Sequence, residues 1–235
     1  MEHETSILYG PVNALWHSVQ HAYAWDIPDH VIMAALVLAL SCIIFPLVAK
    51  NLSKDNPGPV QQLFELVIGG LKDMLHDIVG HNGEQFLNII AAFALFIFMS
   101  NIFGLFYFLA PPTSNVNTTF ALSISAFLYY NYQGIKHQGL LHYLKHFGGP
   151  VWWLAPLMFP IEMIGNFARI LSLSMRLFGN IFGEHTATGI FMGLIPLIAP
   201  WPMMALGIFG AFLQTFVFIM LTMVYISGAT AAEEH

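Results

Sequence analysis

Apolar residues run along this chain in blocks, and the length and internal spacing of each block predict its element. Residues 31–49 are almost continuously apolar, long enough for one helix to cross a hydrocarbon core of about 30 Å. Residues 86–109 and 118–135 form two further blocks, separated by the polar run 111–117, Pro-Pro-Thr-Ser-Asn-Val-Asn. Residues 60–80 follow a different pattern. Leu63, Leu66, Val67, Leu71, Met74, Leu75 and Ile78 recur at helical spacing, with Glu65, Lys72, Asp73, His76 and Asp77 between them. That alternation predicts an amphipathic helix lying on a membrane surface. The last two blocks, 152–191 and 197–229, are longer. At about 1.5 Å per residue the first reaches roughly 60 Å, twice the hydrocarbon thickness. They are expected as a pair of long, tilted, antiparallel helices divided near Pro196 to Pro202. The expected fold is an all-α integral membrane protein, a single membrane domain. It has about five membrane-crossing helices and one amphipathic surface helix, preceded by an outer segment over residues 1–30.

Composition agrees with the pattern and narrows it. Hydrophobic residues make up 57% of the 235 positions and charged residues 9%, against about 25% charged in soluble domains. The net charge of −6 comes without any basic cluster, so nucleic acid is not expected as a partner. The lone Cys42 lies in an apolar run and says nothing of redox compartment. The acidic opening, Met-Glu-His-Glu-Thr, lacks the basic start of a cleavable signal. Trp16, Tyr23 and Trp25 suit an interface. Residues 1–30 hold Glu2, Glu4, Asp26 and Asp29 and no Lys or Arg, whereas Lys50, Lys54, Lys136 and Lys145 fall in alternate loops. The positive-inside rule therefore puts the N-terminus outside and the C-terminal Glu233 to His235 in the cytoplasm.

Chemistry concentrates in the 152–191 block. Glu162, Arg169, Ser172, Arg176, Asn180 and Glu184 are separated by seven, three, four, four and four residues, a spacing that puts them on one helical face. The stripe is about 33 Å long and reaches from one interface to the other. An arginine keeps its proton in a protein, and holding that charge in a bilayer costs roughly 3 kcal/mol or more. With seven Lys and Arg in the whole chain, Arg176 calls for a partner. The stripe could simply glue helices together, or its separated charges could be stations along a path. Gln214, isolated in the last block, can lie beside Arg176 if the two helices run antiparallel, and its amide could serve either role.

The run 172–180, Ser-Leu-Ser-Met-Arg-Leu-Phe-Gly-Asn, followed by Glu184 and by Leu-Gln-Thr-Phe-Val-Phe-Ile-Met-Leu-Thr-Met-Val-Tyr at 213–225, resembles subunit a of the F-type ATP synthase. Ser-Asn-Ile-Phe-Gly at 100–104 and Pro-Thr-Ser-Asn-Val-Asn-Thr at 112–118 extend the likeness over nearly everything after residue 28. The resemblance implies a bacterial inner-membrane subunit with no catalysis and no cofactor of its own. Its implied partners are a ring of small c-type rotor subunits and a b-type peripheral stalk. Arg176 would meet the buried carboxylate of each rotor subunit. Glu184, Asn180 and Gln214 would line an outer half-channel, and Glu162 and Ser172 a cytoplasmic one. Two positions depart from some family members. Gly207 stands where a titratable residue is found, and His185 is the candidate replacement although it points about 100° away from Glu184. Asn115 occupies an outer-channel loop position that is acidic in some members.

Two other functions fit parts of the sequence. A secondary transporter could hold an anionic substrate at Arg176, but inverted repeats and paired broken helices are not visible. A membrane metal enzyme could use His17 with His21, or His142 with His146, each four apart. Third and fourth ligands are wanting for both pairs, so no metal site is expected. Arg169 is expected to snorkel or to pair with Glu162.

Overall fold

The computed structural model describes residues 8–19, 28–50, 52–53, 57–80, 83–105, 109–139, 155–194 and 200–230. Tyr23, Trp25, His21, Lys54, His81, His142, Lys145, His146 and Glu233 lie outside these, as does the side chain of His17.

Every regular element among the described residues is helical: α1 (Tyr9–Val19), α2 (Asp29–Lys50), α3 (Pro59–Val79), α4 (Leu87–Phe103), α5 (Val116–Gln138), α6 (Ala155–Leu194) and α7 (Pro200–Thr230). Single 3-10 turns at Gly83–Phe86 and Pro112–Ser114 lead into α4 and α5. Local chemistry sets the boundaries. Pro59 opens α3, where its missing N–H costs nothing. Gly80 closes it at φ 89°, a conformation that glycine adopts without steric penalty. Asn115 caps α5, its side chain accepting from the Asn117 N–H at 2.9 Å.

The bundle is organised around α7. Phe218, Ile219, Met223 and Ile226 of α7 pack with Phe86, Ile90, Phe93 and Ile97 on the α4 side. They also meet Ala126 and Tyr130 of α5 and Leu173 and Leu177 of α6. Phe93 and Phe218 sit 5.7 Å apart between ring centres. Hydrogen bonds add specificity. Thr119 and Ser174 hydroxyls meet at 3.0 Å across α5 and α6, and Ser227 donates to the Ile78 carbonyl at 2.8 Å. In a membrane such bonds and close packing, rather than hydrophobic exclusion, hold helices together.

The apolar stripe of α3 divides along its length. Leu71 and Leu75 join the core, whereas Leu63, Leu66 and Val67 remain exposed. Two helical segments, Gly83–Phe103 and Trp201–Thr230, are long and apolar enough by themselves to cross a membrane, and the apolar part of α2, Asp29–Ile44, is shorter. α6 is dotted with Glu162, Arg169, Arg176 and Glu184. Yet its outer surface exposes Leu157, Ile161, Ile164 and Phe167, alongside Ile208, Phe209 and Phe212 of α7. Patches of this extent mark contact with lipid or another subunit.

The 3-10 turn before α5 is fixed by one fully buried bond, Thr113 Oγ1 donating to Asn101 Oδ1 at 2.8 Å. Thr113→Val removes the hydroxyl and strands that oxygen, an expected loss of about 1–3 kcal/mol. Thermal denaturation of the purified protein checks it, and an unchanged midpoint would contradict it.

Candidate functional site

α6 carries most of the predicted residues and α7 faces it. The Cα of Gly210 lies so close to α6 that a Cβ there would sit 3.5 Å from Asn180 Nδ2 and 3.6 Å from Glu184 Oε2. One turn earlier on α7, a Cβ at Gly207 would fall on Glu184 Oε1 itself. Asn180 therefore pairs with Gly210 and Glu184 with Gly207, which makes α6 and α7 antiparallel. The same offset puts Gln214 level with Arg176.

Arg176 is exposed on the outer face of α6, while Leu173, Ser174, Leu177 and Ile181 on the opposite face are buried. Among the described residues the ion pairs are Lys72 with Glu84 and Arg169 with Glu162, and the Arg176 guanidinium belongs to neither. Ser172 and Asn180 share its exposed side, and Gln214 is buried on α7. No hydrogen bond joins Gln214 to Arg176 among the described residues.

Glu184 is half-buried and turned toward α7. The stripe thus does not stay on one face as the spacing suggested. Each four-residue step overshoots a full turn by about 40°, so from Arg176 to Glu184 the direction winds by roughly 80°. Glu184 and His185 both line a cavity of about 30 Å³, with Gly104, Leu105, Thr188 and Met204. That is room for about two or three waters at about 10–15 Å³ each. A Cβ at Gly104 would sit 3.1 Å from His185 Nε2, so glycine at the end of α4 makes space for the imidazole. The angular gap between Glu184 and His185 does not separate them, because the cavity lies between their directions.

The other end of the stripe is a cross-helix junction. Arg169 Nη2 is 3.6 Å from Glu162 Oε1, and Arg169 Nη1 donates to Asn166 Oδ1 at 3.4 Å. The guanidinium carbon lies 5.5 Å from the Tyr225 ring centre, within cation–π range. Tyr130 of α5 donates its hydroxyl to the same Asn166 oxygen at 3.3 Å. Asn115 lies away from the cavity, where it acts as the cap of α5.

Gly210, Gly104, Asn166, Tyr130 and Tyr225 were not singled out by sequence. A hint was present for two of them. Asn166 sits four after Glu162 and three before Arg169, and Gly210 sits three after Gly207, a small-residue spacing suited to close helix approach.

The family model described as ATP synthase A chain matches residues 31–227. The chain is similar to the ATP synthase subunit a of Geotalea uraniireducens, 44% identical over 208 residues, covering 88% of this chain and 86% of that one. That of Trichlorobacter lovleyi is 45% identical over 207 residues, 88% of this chain and 85% of the relative. That of Geobacter sulfurreducens is 45% identical over 193 residues, 82% and 84% of the two chains.

Proposed function

This chain belongs to the ATP synthase A chain family, a non-catalytic membrane subunit serving ion transport and ATP synthesis, and from that premise we propose that it is the stator wall of the proton path. α2, α4, α5, α6 and α7 make five crossings of a bacterial inner membrane, the last two tilted, and α3 lies at the interface. The N-terminus is outside and the C-terminus cytoplasmic. The exposed face of α6 meets a ring of c-type rotor subunits, and a b-type stalk holds the stator still.

The observation that carries this proposal is the divergent orientation of the two charged groups on α6, about 80° apart around its axis. Arg176 presents a permanent cation outward, outside the described ion pairs, while Glu184 faces a small cavity that it shares with His185. A guanidinium beside a rotor carboxylate favours its ionised form and so strips its proton. The same charge repels a proton that would pass straight across. Protons enter from outside past Asn115 and through Glu184, His185, Asn180 and Gln214, and leave past Ser172 and Glu162 to the cytoplasm. Neither route crosses alone, so the ring must turn. Each proton falling through 100 mV contributes about 2.3 kcal/mol.

Glu184→Gln tests the outer route. It keeps the shape beside Gly207 but removes the exchangeable charge. Proton pumping into inverted vesicles, followed by quenching of a pH-sensitive dye, should fall about tenfold or more, with the complex still assembled. A wild-type rate would remove Glu184 from the path.

A further inference from the structure

We propose that Glu162 masks the charge of Arg169, leaving Arg176 as the one uncompensated fixed cation that α6 offers to the rotor. The proposal rests on the reading of α6 as the rotor-facing helix, and it gives Glu162 a task beyond bordering the cytoplasmic exit.

Glu162, Arg169 and Arg176 follow one another at intervals of seven residues. Seven residues fall about 20° short of two turns, so the three side chains leave α6 nearly in line, with about 10.5 Å between neighbours. Two fixed cations thus stand on one side of the helix. Their surroundings differ. Arg169 Nη2 lies 3.6 Å from Glu162 Oε1, whereas Arg176 belongs to no ion pair among the described residues. Asn166 Oδ1 at 3.4 Å and the Tyr225 ring at 5.5 Å also hold the Arg169 guanidinium, but neither is an anion. Cancellation falls to Glu162. The Arg169 and Glu162 side chains are 41% and 39% exposed, so the pair reaches the helix surface instead of being sealed in the bundle.

A charge in a medium of low dielectric acts well beyond contact distance. In the proposed stator α6 is tilted, so part of the separation between the two arginines lies along the track of the rotor carboxylates. Unmasked, Arg169 would compete with Arg176 for each carboxylate and delay its release. The two partners are not equivalent when left alone. A carboxyl group can take up a proton and become neutral, whereas a guanidinium stays charged. Removing Arg169 leaves a group that can discharge itself. Removing Glu162 leaves a permanent second cation.

A purely structural junction predicts the reverse order. Arg169→Gln weakens the contacts with Glu162, Asn166 and Tyr225 together, so bracing would suffer most from that variant.

The test is a cycle of variants in the intact ATP synthase complex. ATP synthesis by vesicles under an imposed proton gradient is measured, with subunit content checked in each preparation. Glu162→Gln should lower the rate about tenfold. Arg169→Gln should lower it no more than about twofold. Adding Arg169→Gln to Glu162→Gln should raise the rate about fivefold or more above that of Glu162→Gln alone. Glu162→Ala with and without Arg169→Ala gives the same comparison if the glutamine variant does not assemble. A double variant as slow as Glu162→Gln leaves Glu162 an exit group alone and overturns the mask. Arg169→Gln slower than Glu162→Gln makes the junction a brace and overturns it as well. Arg176→Ala in the same assay separates the two levels of the argument. Wild-type synthesis there removes the rotor-facing reading and the mask with it, whereas a failed cycle with Arg176 essential removes the mask alone.

Discussion

Arg176→Ala should abolish proton-driven ATP synthesis, a loss of at least about a hundredfold, while leaving the complex assembled. Assembly should survive because, among the described residues, no carboxylate of this chain pairs with the guanidinium and no core contact depends on it. The function should not, because nothing else on the exposed face of α6 at that level carries a fixed positive charge. Arg176→Lys should restore little, since an ammonium held in the low dielectric of a membrane can give up its proton and a guanidinium cannot. The two variants also separate charge from bulk. ATP synthesis by vesicles under an imposed gradient, with subunit content checked in the same preparation, is the measurement. Wild-type synthesis in the alanine variant would defeat the proposed mechanism.

Gly207→Val should cut proton passage about tenfold or more, without any change to a titratable group. The Glu184 carboxylate occupies the space that a side chain at 207 needs, and Leu105 crowds the same point. A branched side chain must therefore expel the carboxylate from the cavity. A cycle of variants distinguishes this from general damage. If Gly207→Val acts through Glu184, the double variant with Glu184→Gln should be no slower than the worse single one. Additive losses in dye quenching would show that 207 acts elsewhere.

The helices were legible because their blocks differ so sharply in periodicity, and Arg176 stood out because a charge in an apolar run is costly wherever it lies. The direction of each stripe residue was less legible. Spacing of four approximates one face over one or two turns, but its drift turned Glu184 from the outer surface of α6 toward α7. The receiving wall was harder still. Gly207, Gly210 and Gly104 act by what they lack, and a glycine in an apolar run gives no sign of which side chain fills its space. Asn115 drew notice as an outer polar residue, and its observed bond is that of a helix cap. Tyr130 and Tyr225 gained a role only once α5 and α7 were placed against Asn166 and Arg169.

The junction of Tyr130, Asn166, Arg169 and Tyr225 has a mechanical meaning. α6 is a slender rod of 40 residues, and in the proposed stator a rotor sweeping past its outer side would push on it laterally. Bracing at Thr119–Ser174, Tyr130–Asn166 and Arg169–Tyr225 hands that thrust to two neighbouring struts. The rod would then resist flexure near its charged midpoint, and in the proposed mechanism recoil during each step would be shared by the frame instead of being lost as bending.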